Sequence, residues 1–149
     1  MKIALACDHG GYPLKQIIKE CVAEMGHAIT ELGPENSPGD DYPDFAEKLG
    51  TAIANGEAER GILICGSGVG ASIAANKIKG VYAAVCHDTY SAHQGVEHDK
   101  MNVLCLGARV IGTELAKELV EAYLNAKFSN EERHVRRVNK VLKIEKLGI

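Results

Sequence analysis

Tryptophan is absent from this 149-residue chain, and aromatic residues make up only 5% of it. A sugar platform built from broad aromatic faces is therefore not expected. No apolar run approaches the roughly 20 residues that cross a bilayer, so no membrane partner is expected. The opening residues, Met1-Lys2-Ile3-Ala4-Leu5-Ala6-Cys7-Asp8, turn acidic too soon for a secretory signal and read instead as a first strand. Basic charge is not in excess: the formal net charge is -3, which argues against nucleic acid as the main partner. There is no H-E-x-x-H, and His87, His93 and His98 lack metal-ligand spacing, so no metal is expected. The five cysteines, Cys7, Cys21, Cys65, Cys86 and Cys105, are odd in number, lack any C-x-x-C pair and mostly sit in apolar runs. That pattern predicts free thiols in a reducing cytoplasm.

What is present is the composition of an ordinary globular protein, 46% hydrophobic and 25% charged. No low-complexity segment or internal repeat divides it, so residues 1–149 read as a single domain. Short apolar runs alternate with amphipathic stretches. Strands are predicted at Ile3–Cys7, Ala28–Leu32, Ile62–Ile64, Val81–Cys86 and Val103–Leu106. Helices are predicted at Gly11–Met25, Phe45–Ala54, Val69–Asn76, Thr89–Val96 and Glu114–Leu124. Gly33–Pro43, rich in Gly, Pro, Asn, Ser and Asp, reads as loop. Ser129 and Glu132 have capping-box spacing, and a last helix is predicted from Ser129 to about Lys146, with Val135, Val138 and Leu142 on one side. Strand alternating with helix predicts an α/β fold: a doubly wound, Rossmann-like or flavodoxin-like domain with a five-stranded parallel sheet and an extra C-terminal helix. Ligands of such sheets bind beyond the C-terminal strand ends.

The segment Gly61-Ile62-Leu63-Ile64-Cys65-Gly66-Ser67-Gly68-Val69-Gly70 puts a thiol at a strand end, ahead of alternating glycines and a helix start. Free N–H groups there favour negative charge, activate a thiol and steady an oxyanion. A free cysteine is most often an inert core residue, which suffices for Cys7, Cys86 and Cys105. The loop after Cys65 favours function there. Two rival readings use the same loop. Gly66, Gly68 and Ala71 satisfy a dinucleotide fingerprint with Asp88 about twenty residues on, which would make the chain a nucleotide-binding module. A redox-sensing thiol would need a resolving cysteine nearby in sequence, and there is none. Tyrosine-phosphatase chemistry fails because Ala71 stands where its arginine is needed. Elsewhere, Asp8 and His9 sit at the mouth of the sheet, where Asp8 also suits a helix-capping turn. Arg133 and Arg137, four apart, share a helix face and fit a phosphate's oxygens. His98 and Asp99, read between the fourth helix and fifth strand, belong to the N-terminal edge of the sheet, away from Cys65. A catalytic His98 is therefore expected in the site of a neighbouring subunit.

Taken together, Cys7-Asp8-His9-Gly10-Gly11, Asp41-Tyr42-Pro43, the Cys65 loop, Ala74-Ala75-Asn76-Lys77, Asn102-Val103-Leu104 with Gly107-Ala108-Arg109, and Arg133-His134 with Arg137-Val138 closely resemble the ribose-5-phosphate isomerase B family of sugar-phosphate isomerases. The resemblance covers nearly the whole chain. It implies an aldose–ketose isomerase of D-ribose 5-phosphate and D-ribulose 5-phosphate that needs no cofactor; a six-carbon sugar phosphate such as allose 6-phosphate or galactose 6-phosphate is the second substrate reading. It implies Cys65 as the base between C2 and C1, with Ser67 beside it as a proton relay. The backbone of Gly66, Ser67, Gly68, Val69 and Gly70 corresponds to the anion hole for the enediolate. His98 corresponds to the acid that helps open the ring, Asp8 and His9 to substrate contacts, and Tyr42 to a wall of the site. Arg109, Arg133 and Arg137 correspond to residues holding the substrate or its phosphate. One departure is visible: many relatives have His-Asn-Asp where this chain has His98-Asp99-Lys100. Asp99 accepts hydrogen bonds from a sugar hydroxyl but, ionised, donates none. A homodimer, extendable to a dimer of dimers, is expected.

Overall fold

The computed structural model describes residues 1–33 and 40–148. Five strands, β1 (Lys2–Cys7), β2 (Ala28–Glu31), β3 (Arg60–Cys65), β4 (Ala83–Val85) and β5 (Val103–Gly107), form one sheet in the order β2-β1-β3-β5-β4. Every pairing is parallel. Six helices accompany them: α1 (Tyr12–Glu24), α2 (Tyr42–Ala54), α3 (Val69–Ala75), α4 (Thr89–Asp99), α5 (Thr113–Asn125) and α6 (Glu132–Leu147). No helix among the described residues is long and apolar enough to cross a membrane.

The sheet is covered on both faces, which is why β1, β3 and β5 are nearly continuous apolar runs. One core joins α1, α4 and α5 to Ile3, Leu5, Ile62, Ile64, Leu104 and Leu106. The other joins α2 and α3 to Ala4, Ala6, Leu63, Val103 and Cys105. The alternation along each strand thus sends successive side chains into opposite cores. Deleting a buried leucine such as Leu104 removes about 2–5 kcal/mol from either layer.

The doubly wound architecture agrees with the sequence, but the strand order exchanges the last two strands of the flavodoxin-like arrangement. The reason is burial. All five residues of β5 are buried, whereas β4 is three half-buried residues suited to an edge. Two asparagines tie that edge down. Asn76 donates to Ala83 O at 2.7 Å and accepts from Ala83 N at 2.8 Å. Asn102 donates to Gly80 O and accepts from Tyr82 N, both at 2.8 Å.

Several boundaries differ from those expected: β4 covers only Ala83–Val85 of the predicted Val81–Cys86, and β3 extends beyond Ile62–Ile64 to Arg60–Cys65. Residues 34–39 of the Gly33–Pro43 loop lie outside the described residues, but Tyr42 and Pro43 already belong to α2, because proline is tolerated in a first helical turn. Helix α4 runs past Val96 to Asp99 and is closed by Lys100 in the left-handed region at φ 57°; His98 and Asp99 are therefore helical. Helix α6 starts at Glu132 with Glu131 as its cap, so Ser129 forms no capping box. Its hydroxyl oxygen accepts from Glu131 N instead.

Candidate active site

Between β1 and β3 the winding reverses, so α1 and α3 leave to opposite faces and a crevice opens at the C-terminal strand ends. Register aligns Cys7 with Ile64 and Cys65 with Gly107 across it. A cleft of about 300 Å³ lies there, lined by Asp8, Tyr42, Cys65, Gly66, Ser67, Gly70, Arg109 and Val110.

Cys65 ends β3 and is 5% exposed. Gly68, in the left-handed region at φ 83°, turns the chain back so that its N–H donates to Cys65 Sγ at 3.0 Å. Such a donor sets the positive end of an N–H dipole against the sulfur. Burial pushes the thiols of Cys7 and Cys86 up to about 11 and raises those of Cys21 and Cys105. Ser67 is exposed at the mouth, and its hydroxyl oxygen accepts from Val69 N at 3.2 Å, leaving its proton free to donate. Gly70 and Ala71 precede the first intrahelical bond of α3, from Ser72 N to Gly68 O, so the helix ladder does not use their N–H groups.

The alternating glycines each have a separate cause. A Cβ at Gly66 would stand 3.3 Å from Arg109 Nη1, and one at Gly70 would stand 2.7 Å from the Tyr42 ring. Gly66 thus admits the arginine, Gly68 makes the turn and Gly70 admits the aromatic wall. Arg109 is held in place through its own N–H, which donates to Gly66 O at 3.0 Å.

Asp8 is buried, and its Oδ1 accepts from Gly11 N at 3.0 Å. It closes the β1–α1 turn and also lines the cleft. His9 is exposed beside it and is not among the cleft-lining residues. One residue of the cleft escaped the sequence reading. Val110 completes the wall. His87 accepts from Gly107 N at Nε2, 3.0 Å, and burial holds its pKa below the ordinary value, so it serves as a neutral prop under the end of β5. Asp88, the acidic residue of the dinucleotide reading, caps α4 instead: its Oδ1 accepts from Ser91 N at 2.7 Å, a bond that lowers its pKa.

His98, Asp99, Arg133 and Arg137 do not join this cleft. Helix α4 returns the chain from the end of β4 to the start of β5, so its last turn lies at the opposite edge of the sheet. His98 stacks there on the buried His134 of α6, with centroids 4.0 Å apart. Arg133 and Arg137 are exposed on the same helix, and Arg133 pairs with Glu131 at 2.9 Å. Among the described residues, no group of three or more His, Cys, Asp or Glu side chains is placed to hold a metal ion.

A family profile described as Ribose/Galactose Isomerase matches residues 3–141. The chain is 46% identical to the ribose-5-phosphate isomerase B of Escherichia coli K12, over 97% of this chain and 96% of that one. It is 40% identical to a D-erythrulose-4-phosphate isomerase of Pectobacterium atrosepticum, over 99% and 93%. Among solved structures, that of Clostridium thermocellum ribose-5-phosphate isomerase B superposes with a TM-score of 0.95 at 45% identity, covering 99% of both chains.

Proposed function

The chain belongs to the ribose/galactose isomerase family, and on that premise we propose that it interconverts D-ribose 5-phosphate and D-ribulose 5-phosphate by ring opening and a cis-enediolate, with Cys65 as the base. The observation that carries this is the N–H of Gly68 directed at Cys65 Sγ inside a cleft that also holds Asp8 and Arg109. A proton alpha to a carbonyl is weakly acidic, so the site must stabilise the enediolate while a base withdraws it. The thiolate takes the proton from C2 and returns it to C1, and Ser67 relays protons between the sugar oxygens. Gly68 N–H serves Cys65 and Val69 N–H serves Ser67, so the remaining N–H groups of the Gly66–Gly70 loop take the developing oxyanion, each well-aimed donor contributing about 3–4 kcal/mol to the transition state. Arg109 and Asp8 hold hydroxyls, and Tyr42 closes one side.

Residues 1–149 act as one isomerase domain, and the working unit is a homodimer, extendable to a dimer of dimers. From a second subunit, His98 is the acid of ring opening, Asp99 accepts from a sugar hydroxyl, and Arg133 and Arg137 complete the phosphate end of the site. Two features support this assembly: these residues stand at the opposite sheet edge from their own Cys65, and α6 leaves Val135, Val141, Ile144 and Leu147 exposed. Five free cysteines fit a cytoplasmic setting. The nucleotide-module reading loses its acidic residue, because Asp88 is spent on capping α4.

Isomerisation in heavy water tests the reading, with D-ribose 5-phosphate, D-erythrulose 4-phosphate, D-allose 6-phosphate and D-galactose 6-phosphate as substrates. D-ribose 5-phosphate should show the highest kcat/KM, with solvent deuterium entering at C1 of the ketose. A preference for a four- or six-carbon substrate overturns the substrate assignment. Tight NAD binding without isomerisation overturns the enzyme assignment.

A further inference from the structure

The last turn of α4 holds a polar arrangement that fixes a proton. Gln94 and His98 are four residues apart and share a helix face. Gln94 Nε2 lies 3.0 Å from His98 Nδ1 and 3.1 Å from Asp99 Oδ2. A carboxylate only accepts, so an amide oxygen turned toward Asp99 would oppose two acceptors. The Gln94 NH2 therefore faces Asp99, and its second hydrogen is directed at His98 Nδ1. An Nδ1 that accepts carries no proton, which leaves the ring proton on Nε2.

The groups around the ring agree with this. Its face stacks on His134 at an interplanar angle of 26°. The Ser129 hydroxyl oxygen accepts from Glu131 N and lies 2.6 Å from His134 Nδ1. Burial, together with His98 and Arg133, holds the His134 pKa below its ordinary value. Glu97 Oε2 is 3.6 Å from His98 Nε2, beyond hydrogen-bond reach, and is 3.4 Å from His93 Nε2 on its other side. Nε2 of His98 thus faces the Glu97 carboxylate at 3.6 Å without a hydrogen bond, on a ring whose other nitrogen is tied down.

We propose that Gln94, oriented by Asp99, is a positioning residue that holds His98 as the Nε2–H tautomer, so that Nε2–H polarises the sugar's ring oxygen as a hydrogen-bond donor while the proton that oxygen gains is the one the anomeric hydroxyl loses. This rests on the reading of His98 as the ring-opening residue. It also gives the departure at position 99 a role. An asparagine there would offer Gln94 either end of its amide and leave the orientation open, whereas Asp99 dictates it.

Nitrogen-15 NMR of the histidine rings in the full-length protein at neutral pH tests the lock. In the wild type, Nδ1 of His98 should be bare and Nε2 protonated. Gln94→Glu replaces the donor with an acceptor and should move the proton to Nδ1. The same variant should turn over D-ribose 5-phosphate with kcat lowered about tenfold and KM within about twofold. Its first turnover of D-ribulose 5-phosphate should be unchanged, because that ketose is acyclic, its C5 oxygen carrying the phosphate. Gln94→Leu, which removes the donor without adding charge, should give a mixture of tautomers. A proton on Nδ1 in the wild type, an identical pattern in Gln94→Glu, or a switched tautomer with unchanged kcat overturns the proposal. His98→Ala separates the two readings: full activity on D-ribose 5-phosphate would end the ring-opening role of His98, while the NMR pattern would still decide what Gln94 does.

Discussion

Gly11→Ala is a one-carbon change outside the cleft, and the structure assigns it a large effect. A Cβ at Gly11 would stand 2.1 Å from the carbonyl oxygen and 2.4 Å from the carbonyl carbon of Ile64, both backbone atoms of β3. No side chain can swing aside to make room. Reaching an ordinary contact of 3.4 Å moves the β1–α1 turn by about 1.3 Å. That turn carries Asp8, whose Oδ1 accepts from Gly11 N, and it abuts the strand that ends in Cys65. Overpacking of this kind costs about 1–3 kcal/mol, which for a chain of this size lowers Tm by roughly 3–10 °C. A 1 Å misplacement of a positioned group can cost about 100-fold in rate, so kcat/KM should fall much further than the stability loss explains at 25 °C. Thermal unfolding and steady-state isomerisation on the same preparation measure both. A Gly11→Ala protein with wild-type Tm and wild-type kcat/KM would refute the packing argument. Normal activity with a lowered Tm would refute the coupling of this turn to the site.

The shared-site reading predicts complementation between two inactive variants. Mixing Cys65→Ala with His98→Ala at equal amounts and allowing exchange makes about half the dimers mixed, each with one intact site, so about a quarter of wild-type activity should return. No recovery would place both residues in one subunit's site. Arg137→Ala should raise KM for phosphorylated sugars about tenfold, the loss of one charge-assisted contact, with little change in kcat; an unchanged KM removes Arg137 from the phosphate clamp. His87 has a folded pKa below its ordinary 6.5 because of burial. The unfolded chain therefore takes up the proton first, and stability should fall as pH drops below about 6.5, continuing until the folded form is also protonated. Urea unfolding across that window should show a shallower loss in His87→Asn than in the wild type; equal slopes would mean that His87 is not held neutral.

Much of this was legible in the chain because the signals are local. The alternation of strand and helix and the thiol before a glycine loop are read within a few residues. Why Gly66 and Gly70 must be glycine was not legible, since the reasons are Arg109 and Tyr42, which arrive from distant elements. The strand order was hidden because it depends on how completely β5 is buried relative to β4. The end of α4 was misread because Lys100, not glycine, adopts the left-handed closing conformation. Ser129 has the spacing of a cap but serves Glu131 and His134 instead. Gln94 gave no signal at all, since an amide's orientation depends on the acceptor it meets in three dimensions.

The central claim is that Cys65 removes the proton from carbon. The direct measurement is deuterium uptake from heavy water into D-ribose 5-phosphate and D-ribulose 5-phosphate by Cys65→Ala, followed by NMR alongside a calorimetric titration with the same sugar. The account predicts substrate binding close to that of the wild type, with carbon-bound deuterium no faster than in buffer alone. Exchange within tenfold of the wild-type rate would contradict it and would place the base elsewhere in the cleft.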